Sequence, residues 1–266
     1  MTVPQDTYTH GHHESVLRSH RWRTAENSAG YLLAHLRPGV EVLDVGCGPG
    51  TITVDFARLV APGRVVGVDN TDEPLHIARE EGGLANVEFR SADVYALPFA
   101  DDSFDVVHAH QVLQHLTDPV AAFREMRRVC RTGGVVAARD ADYATMTWFP
   151  DHAGLDIWLD LYHRVARSNN AYPDGGRRLL SWARSAGFED ITSTATAWCF
   201  ATPEERAWWG GLWADRVRAS SFANQALDRG LATQETLDGI SSAWHEWAAE
   251  PDAWFAMIHG EVLCRA

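Results

Sequence analysis

The chain has 266 residues, 45% of them hydrophobic, with a formal net charge of −13 at pH 7. That is enough apolar material for one large α/β domain carrying an insertion. An acidic chain without a basic stripe disfavours a nucleic-acid backbone or an anionic membrane as the main partner.

Residues 1–22 are polar and carry His10, His12, His13 and His20. No cysteine accompanies them and adjacent His12 and His13 do not readily converge on one ion, so a pocket lid or plain surface is favoured over a metal site. The start does not read as a signal peptide and no apolar run approaches membrane-spanning length. Cys47, Cys130, Cys199 and Cys264 are widely spaced with no CxxC, as in a reducing compartment, and a cytoplasmic protein is expected.

The periodicity then predicts a helix over 26–36, a strand over 40–45, a glycine turn, a helix over 52–60 and a strand over 64–68 that ends at Asp69. A helix over 73–80, a strand over 87–90 and a strand over 104–109 follow. Asp118-Pro119 opens a helix running to 130, and Gly133-Gly134 turns into a strand over 135–139. Strands alternate with helices at βαβ spacing, and the early strands are nearly all apolar, as in a parallel sheet covered on both faces. Residues 140–150 read as irregular. Helices over 155–168 and 175–186, a strand over 188–200, helices across 202–250 and a closing strand over 254–264 complete the chain. The expected division is a lid and helix over 1–38, a core over 39–200, a helical insertion over 201–252 and a closing core strand over 253–266.

The turn reads Gly46-Cys47-Gly48-Pro49-Gly50. Glycine lets a ligand approach the unpaired N–H groups of a helix start. Asp69 lies about 20 residues further on, the distance at which nucleotide-binding folds put an acid on ribose hydroxyls. Thr51 stands where GxGxxG wants its third glycine, Pro49 removes a donor, and Asp44 would repel an anion. The surroundings suit a ligand with a cationic centre better than a pyrophosphate. An NAD-dependent oxidoreductase and a catalytically silent nucleotide-binding scaffold are the rival readings, and Thr51 counts against the first.

LDVGCGPG, VVGVD, SADVYALPFADDSFDVV and HLTDPVAAFREMRRVCRTGGVV, in that order over about residues 40–140, closely resemble the class I S-adenosylmethionine-dependent methyltransferases. The resemblance is nearest to the small-molecule group related to the ubiquinone/menaquinone-biosynthesis enzymes. It implies an α/β, Rossmann-like seven-stranded sheet with helices on both faces, six strands parallel and the last antiparallel, with S-adenosylmethionine as cofactor. The family's acidic glycine motif maps to Asp44, Gly46, Cys47, Gly48 and Gly50, against the methionine part. Asp69 maps to the ribose ligand, Asn70 and Val94 to the adenine pocket and Asp93 to the adenine amine. His110 and Gln111 lie beside the sulfonium. Tyr8, His12 or Arg23 of the N-terminal lid are candidates for the cofactor carboxylate, and His12 also for the acceptor.

His110 and His115 are the candidate bases, and His115 is also a candidate substrate contact. Tyr143, Trp148 and Phe149 follow the fifth strand, a common position for the acceptor pocket in this fold. Ten of the eleven tryptophans lie after position 145. The helically spaced Trp208, Trp209, Trp213, Trp244 and Trp247 suit core packing or a homo-oligomer contact, or a substrate-facing role for at least one of them. The expected reaction is methyl transfer to C, N or O of a small molecule, an aromatic or secondary-metabolite acceptor, with no metal required. HAHQ at 108–111 lacks the NPPY-like motif of amide-directed relatives.

Overall fold

Stretches such as VLDV and VVGVD carry apolar side chains on both faces, and such strands persist only where helices cover both sides of a sheet. The computed structural model describes residues 6–11, 13–81 and 83–266. The elements run α1 (Glu14–Arg21), α2 (Ala25–Ala29), β1 (Val42–Val45), α3 (Thr51–Val60), β2 (Val65–Asp69), α4 (Asp72–Glu81), β3 (Val87–Ser91), β4 (Phe104–His110), α5 (Pro119–Val129) and β5 (Cys130–Phe149). They continue with α6 (Ala153–Ser168), α7 (Leu179–Ser185), β6 (Ile191–Phe200), α8 (Pro203–Ala219), α9 (Ser221–Asp228), α10 (Gln234–Ala249) and β7 (Trp254–Arg265).

The seven strands form one sheet in the order β3-β2-β1-β4-β5-β7-β6. All neighbours pair in parallel up to β5, and β7 runs antiparallel to both β5 and β6. The register stacks like with like. Val42 lies beside Val65 and Val106, and Val106 beside Val135. These four meet Phe56, Val60 and Leu32 on one face. Leu43, Val66, Val107 and Val136 turn to the other face, where Phe123, Met126 and Trp182 cover them. Alternation along each strand thus feeds two separate cores.

Three elements depart from the sequence expectation. Residues 140–149 are strand rather than loop: β5 runs for 20 residues and continues past the end of β4 as a partner of β7, with a shift of register between Asp142 and Thr147. Its acids suggested a loop, but distant partners satisfy them. Asp140 Oδ2 accepts from the Gln114 amide at 3.0 Å, and Asp142 takes Arg177 Nη2 at 2.7 Å. The helix expected over 26–36 ends at Ala29 and continues as a 3-10 turn over Gly30–His35, in keeping with the low helix propensity of Gly30. The segment after Gly175 likewise begins as a 3-10 turn before α7.

A third core joins the far ends of β5, β6 and β7 to α6, α8, α9 and α10. The helices inserted between β6 and β7 therefore pack with α6, which comes from the β5–β6 connection. Trp158, Trp213, Trp244 and Trp247 are fully buried within this one chain. The Trp158 ring lies 4.5 Å from Trp213 and 4.8 Å from Trp244, both edge-on. Their helical spacing is therefore intramolecular packing. Among the described residues no helix is long and apolar enough to cross a membrane.

Trp158→Ala removes the ring on which α8 and α10 converge. It is expected to cost about 3–5 kcal/mol, read as a lowered urea midpoint at unchanged m-value.

Candidate functional site

Strand order reverses between β1 and β4, so the connections leaving their carboxyl ends diverge and leave a crevice. The turn after β1 occupies it. Gly46 has φ +66°, and a Cβ there would stand 2.3 Å from Val112 Cγ2. Gly50 caps α3 at φ +80°, where a Cβ would stand 2.7 Å from the Phe89 ring. Only glycine meets both demands, conformational and steric.

Carboxylates brace this turn from two sides. Asp44, at the end of β1, accepts from Thr53 Oγ1 at 2.6 Å and meets His108 Nδ1 at 2.8 Å. Asp69, at the end of β2, accepts from the Gly48 amide at 3.0 Å through Oδ2 and from the Thr71 amide and hydroxyl through Oδ1. Asp93, beyond β3, accepts from the Tyr95 amide at 2.9 Å. Burial pushes the Cys47 thiol well above its ordinary range.

From this turn a cavity of about 880 Å³ extends toward β6, β7 and α8. The N-terminal segment covers it. Arg23, just beyond α1, donates from Nη2 to Gln111 Oε1 at 2.7 Å, and its Nε has no partner among the described residues. Burial lowers its pKa to about 10. Gln111 sits at φ +54° directly after β4, and its Nε2 lies 2.9 Å from His259 Nε2 on β7. A chain of side chains thus ties the lid to both halves of the sheet. Tyr8, raised to about 12 chiefly by burial, sets its ring edge-on to His115 at 4.9 Å.

The far half of the cavity is aromatic and cationic. Trp198, Trp209, Trp213 and Met257 line it, together with His10, His110, Tyr143 and Arg216. His110 is 5% exposed, and neither ring nitrogen has a partner among the described residues. Burial first, then Arg23 and Arg139, hold its pKa well below the usual histidine range. Burial and Arg23 bring His115 down to about 3. The hydroxyls of Tyr143 and Tyr162 lie 3.3 and 3.0 Å from His10 Nε2, and their rings stack at 3.9 Å.

Of the residues singled out from sequence, Tyr8, Arg23, Asp44, Gly46, Cys47, Gly48, Asp69, Asn70, Asp93, Val94, His110, Gln111, His115 and Tyr143 line this one cavity. Gly50 does not line it; it shapes the turn from behind. Trp148 does not line it either: its ring packs against Phe255 and Trp158 in the third core. His12 lies outside the described residues. His10 and His20 of the N-terminal histidine cluster, and Trp209 and Trp213 of the tryptophan group, also line it, while Trp198, Met257 and Arg216 were missed. For Arg216 a signal existed, since spacings of three and four along α8 align Trp209, Trp213 and Arg216. Trp198 and Met257 reach the cavity only through tertiary packing. Among the described residues no group of histidines, cysteines and acids has the arrangement of a metal site.

A family model described as "Methyltransferase domain" matches residues 36–202. An uncharacterized methyltransferase of Schizosaccharomyces pombe is 36% identical, over 99% of this chain and 98% of its own length. The ubiquinone/menaquinone biosynthesis C-methyltransferase UbiE of Ectopseudomonas mendocina is 35% identical over 60% of this chain and 69% of its own length. Among solved structures, the YcgJ protein of Bacillus subtilis aligns over 90% of this chain and 98% of its own with a TM-score of 0.58 at 20% identity, a likeness of fold.

The depressed His115 pKa carries a stability consequence. Between the ordinary histidine value of 6.5 and about 3, the unfolded chain holds a proton that folded His115 refuses. Stability is therefore complete above that window and is lost as pH falls through it. The unfolding free energy of His115→Gln should fall less steeply over this range than that of the wild type, by up to about 1.4 kcal/mol per pH unit, in urea titrations at stepped pH.

Proposed function

We propose, for a chain that belongs to the S-adenosylmethionine-dependent methyltransferases, that the cavity holds S-adenosylmethionine at its carboxylate-lined end. A methyl group then passes to C, N or O of a small aromatic or secondary-metabolite acceptor at its tryptophan-lined end. The observation that carries this reading is continuity: one cavity runs from the Gly46–Gly48 turn to Trp198, Trp209 and Trp213.

The residues suit that cofactor. A Cβ at Gly48 would meet only His20, at 3.6 Å, so backbone is open to a close ligand. Asp69 already accepts two hydrogen bonds on Oδ1 and one on Oδ2, so the remaining lone pair, on Oδ2, suits a ribose hydroxyl. Asn70, Asp93 and Val94 border the adenine position, Asp93 as acceptor for an amine. Arg23, with an unpartnered buried Nε, suits the cofactor's carboxylate, and Tyr8 stands beside it. The acid-rich rim suits a sulfonium better than a pyrophosphate.

When bound, S-adenosylmethionine supplies an electrophilic methyl group on a good leaving group. The protein's part is then mainly alignment and exclusion of water. Tyr8, His20 and Arg23 of the N-terminal segment border the cavity, and Gln111, held on one side by Arg23 and on the other by His259, fixes the edge of β4. His110 keeps an unprotonated nitrogen at neutral pH and serves as base for an acceptor that must lose a proton. His115 and Tyr143 border the acceptor.

Asp69→Ala is expected to weaken S-adenosylhomocysteine binding about 10-fold or more in calorimetric titration. Unchanged affinity would refute the ribose assignment.

A further inference from the structure

The cavity's charges are unevenly matched. Its four lining carboxylates are engaged elsewhere: Asp6 on the Thr117 amide and hydroxyl, Asp44 on Thr53 and His108, Asp69 on Gly48 and Thr71, and Asp93 on Tyr95. Neither lining arginine meets any of them. Arg216 is 4% exposed, yet among the described residues it has no carboxylate partner. Its Nη2 donates to the Ser15 carbonyl at 3.1 Å and to Ser19 Oγ at 2.9 Å, and Nε has no partner. Its guanidinium lies 4.5 Å from the Trp213 ring centroid. Nearby Arg139 shows the usual remedy for a buried cation, since Glu261 faces it at 3.2 Å.

Removing a cation from water is costly unless a counter-charge compensates, and a cation–π contact returns only part of that cost. An open cavity beside an uncompensated guanidinium is a place where a ligand completes the pairing. Resting on the proposed reading, Arg23 takes the donor's own carboxylate at the β4 edge. Arg216, on α8 beside Trp213, lines the same cavity as a second guanidinium.

We propose that the acceptor is an anionic aromatic molecule, whose carboxylate or equally charged oxyanion pairs with Arg216 while its ring lies against Trp209 and Trp213. The pairing selects and orients the acceptor, whose nucleophilic atom bonds the methyl carbon as the donor's sulfur–methyl bond breaks and S-adenosylhomocysteine leaves with the electron pair; the acceptor's displaced proton, where there is one, goes to His110. No atom of Arg216 is changed by the reaction.

The test uses the full chain and matched probes differing only in charge: indole-3-acetate against indole-3-acetamide, and salicylate against salicylamide. Binding is read by calorimetry and by melting-temperature shift, with and without saturating S-adenosylhomocysteine. In the wild type at least one carboxylate is expected to bind about 10-fold more tightly than its amide. Arg216→Met should bring that pair to within about twofold, and Arg216→Lys should restore part of the preference. A merely structural strut between α1 and α8 would not discriminate charge in the ligand. Carboxylates that bind no better than their amides in the wild type overturn the proposal, even if Arg216→Met fails to fold. So does an Arg216→Met protein that retains the preference. So does one that leaves the pair preference intact while losing S-adenosylhomocysteine affinity, which would assign Arg216 to the donor. A wild type that ignores S-adenosylhomocysteine would count against the cofactor reading instead, and the donor-free comparison would still decide the role of Arg216.

Discussion

The constraint beneath everything else is the reversal of strand order between β1 and β4. Connections leaving the two strands go to opposite faces of the sheet, so neither covers the gap at their carboxyl ends. A cleft is unavoidable there, and residues just past the strand ends must line it. The Gly46–Gly50 turn, Asp69, the residues around Asp93, and the pair His110-Gln111 all sit at such ends. Packing on both faces makes those positions rigid. Val42, Val65, Val106 and Val135 lock one face in register, and Leu43, Val66, Val107 and Val136 the other.

The second half of the chain extends that cleft into a larger cavity. Extending β5 past β4 gives β7 a long antiparallel partner, and β7 in turn carries β6. The far ends of these strands have no helix cover from the first half. The tryptophan-rich helices α6, α8 and α10 supply it and form a core of their own. Because α8 is anchored there by Trp209 and Trp213, its next exposed turn can hold the N-terminal segment. Arg216 binds Ser15 and Ser19, and Asp215 pairs with Arg18 at 2.7 Å. The N-terminal segment and the tryptophan-lined part of the cavity are thus parts of one packing arrangement.

That arrangement sets two kinds of charge in one cavity. Its carboxylates already accept hydrogen bonds from neighbouring amides and side chains. Both lining guanidiniums keep an Nε without a partner among the described residues, while burial lowers the pKa values of His10 and His110 well below the usual histidine range.

The amino-acid sequence alone determined the parallel half of the sheet, its glycine turn and the acids at its strand ends. Those features are local: two-faced apolar runs of a few residues, a glycine spacing and a carboxylate at a strand's last position. The family likeness was legible for the same reason, since its motifs are the same short turns. Only the tertiary structure decided that 140–149 is strand, because Asp140 and Asp142 find partners at Gln114 and Arg177, far along the chain. Only it removed Trp148 from the cavity, brought in Trp198 and Met257, and left Arg216 buried with no carboxylate partner among the described residues. Each of these depends on which distant side chain fills the space opposite, and a buried charge or ring is settled by that neighbour rather than by its own stretch of sequence.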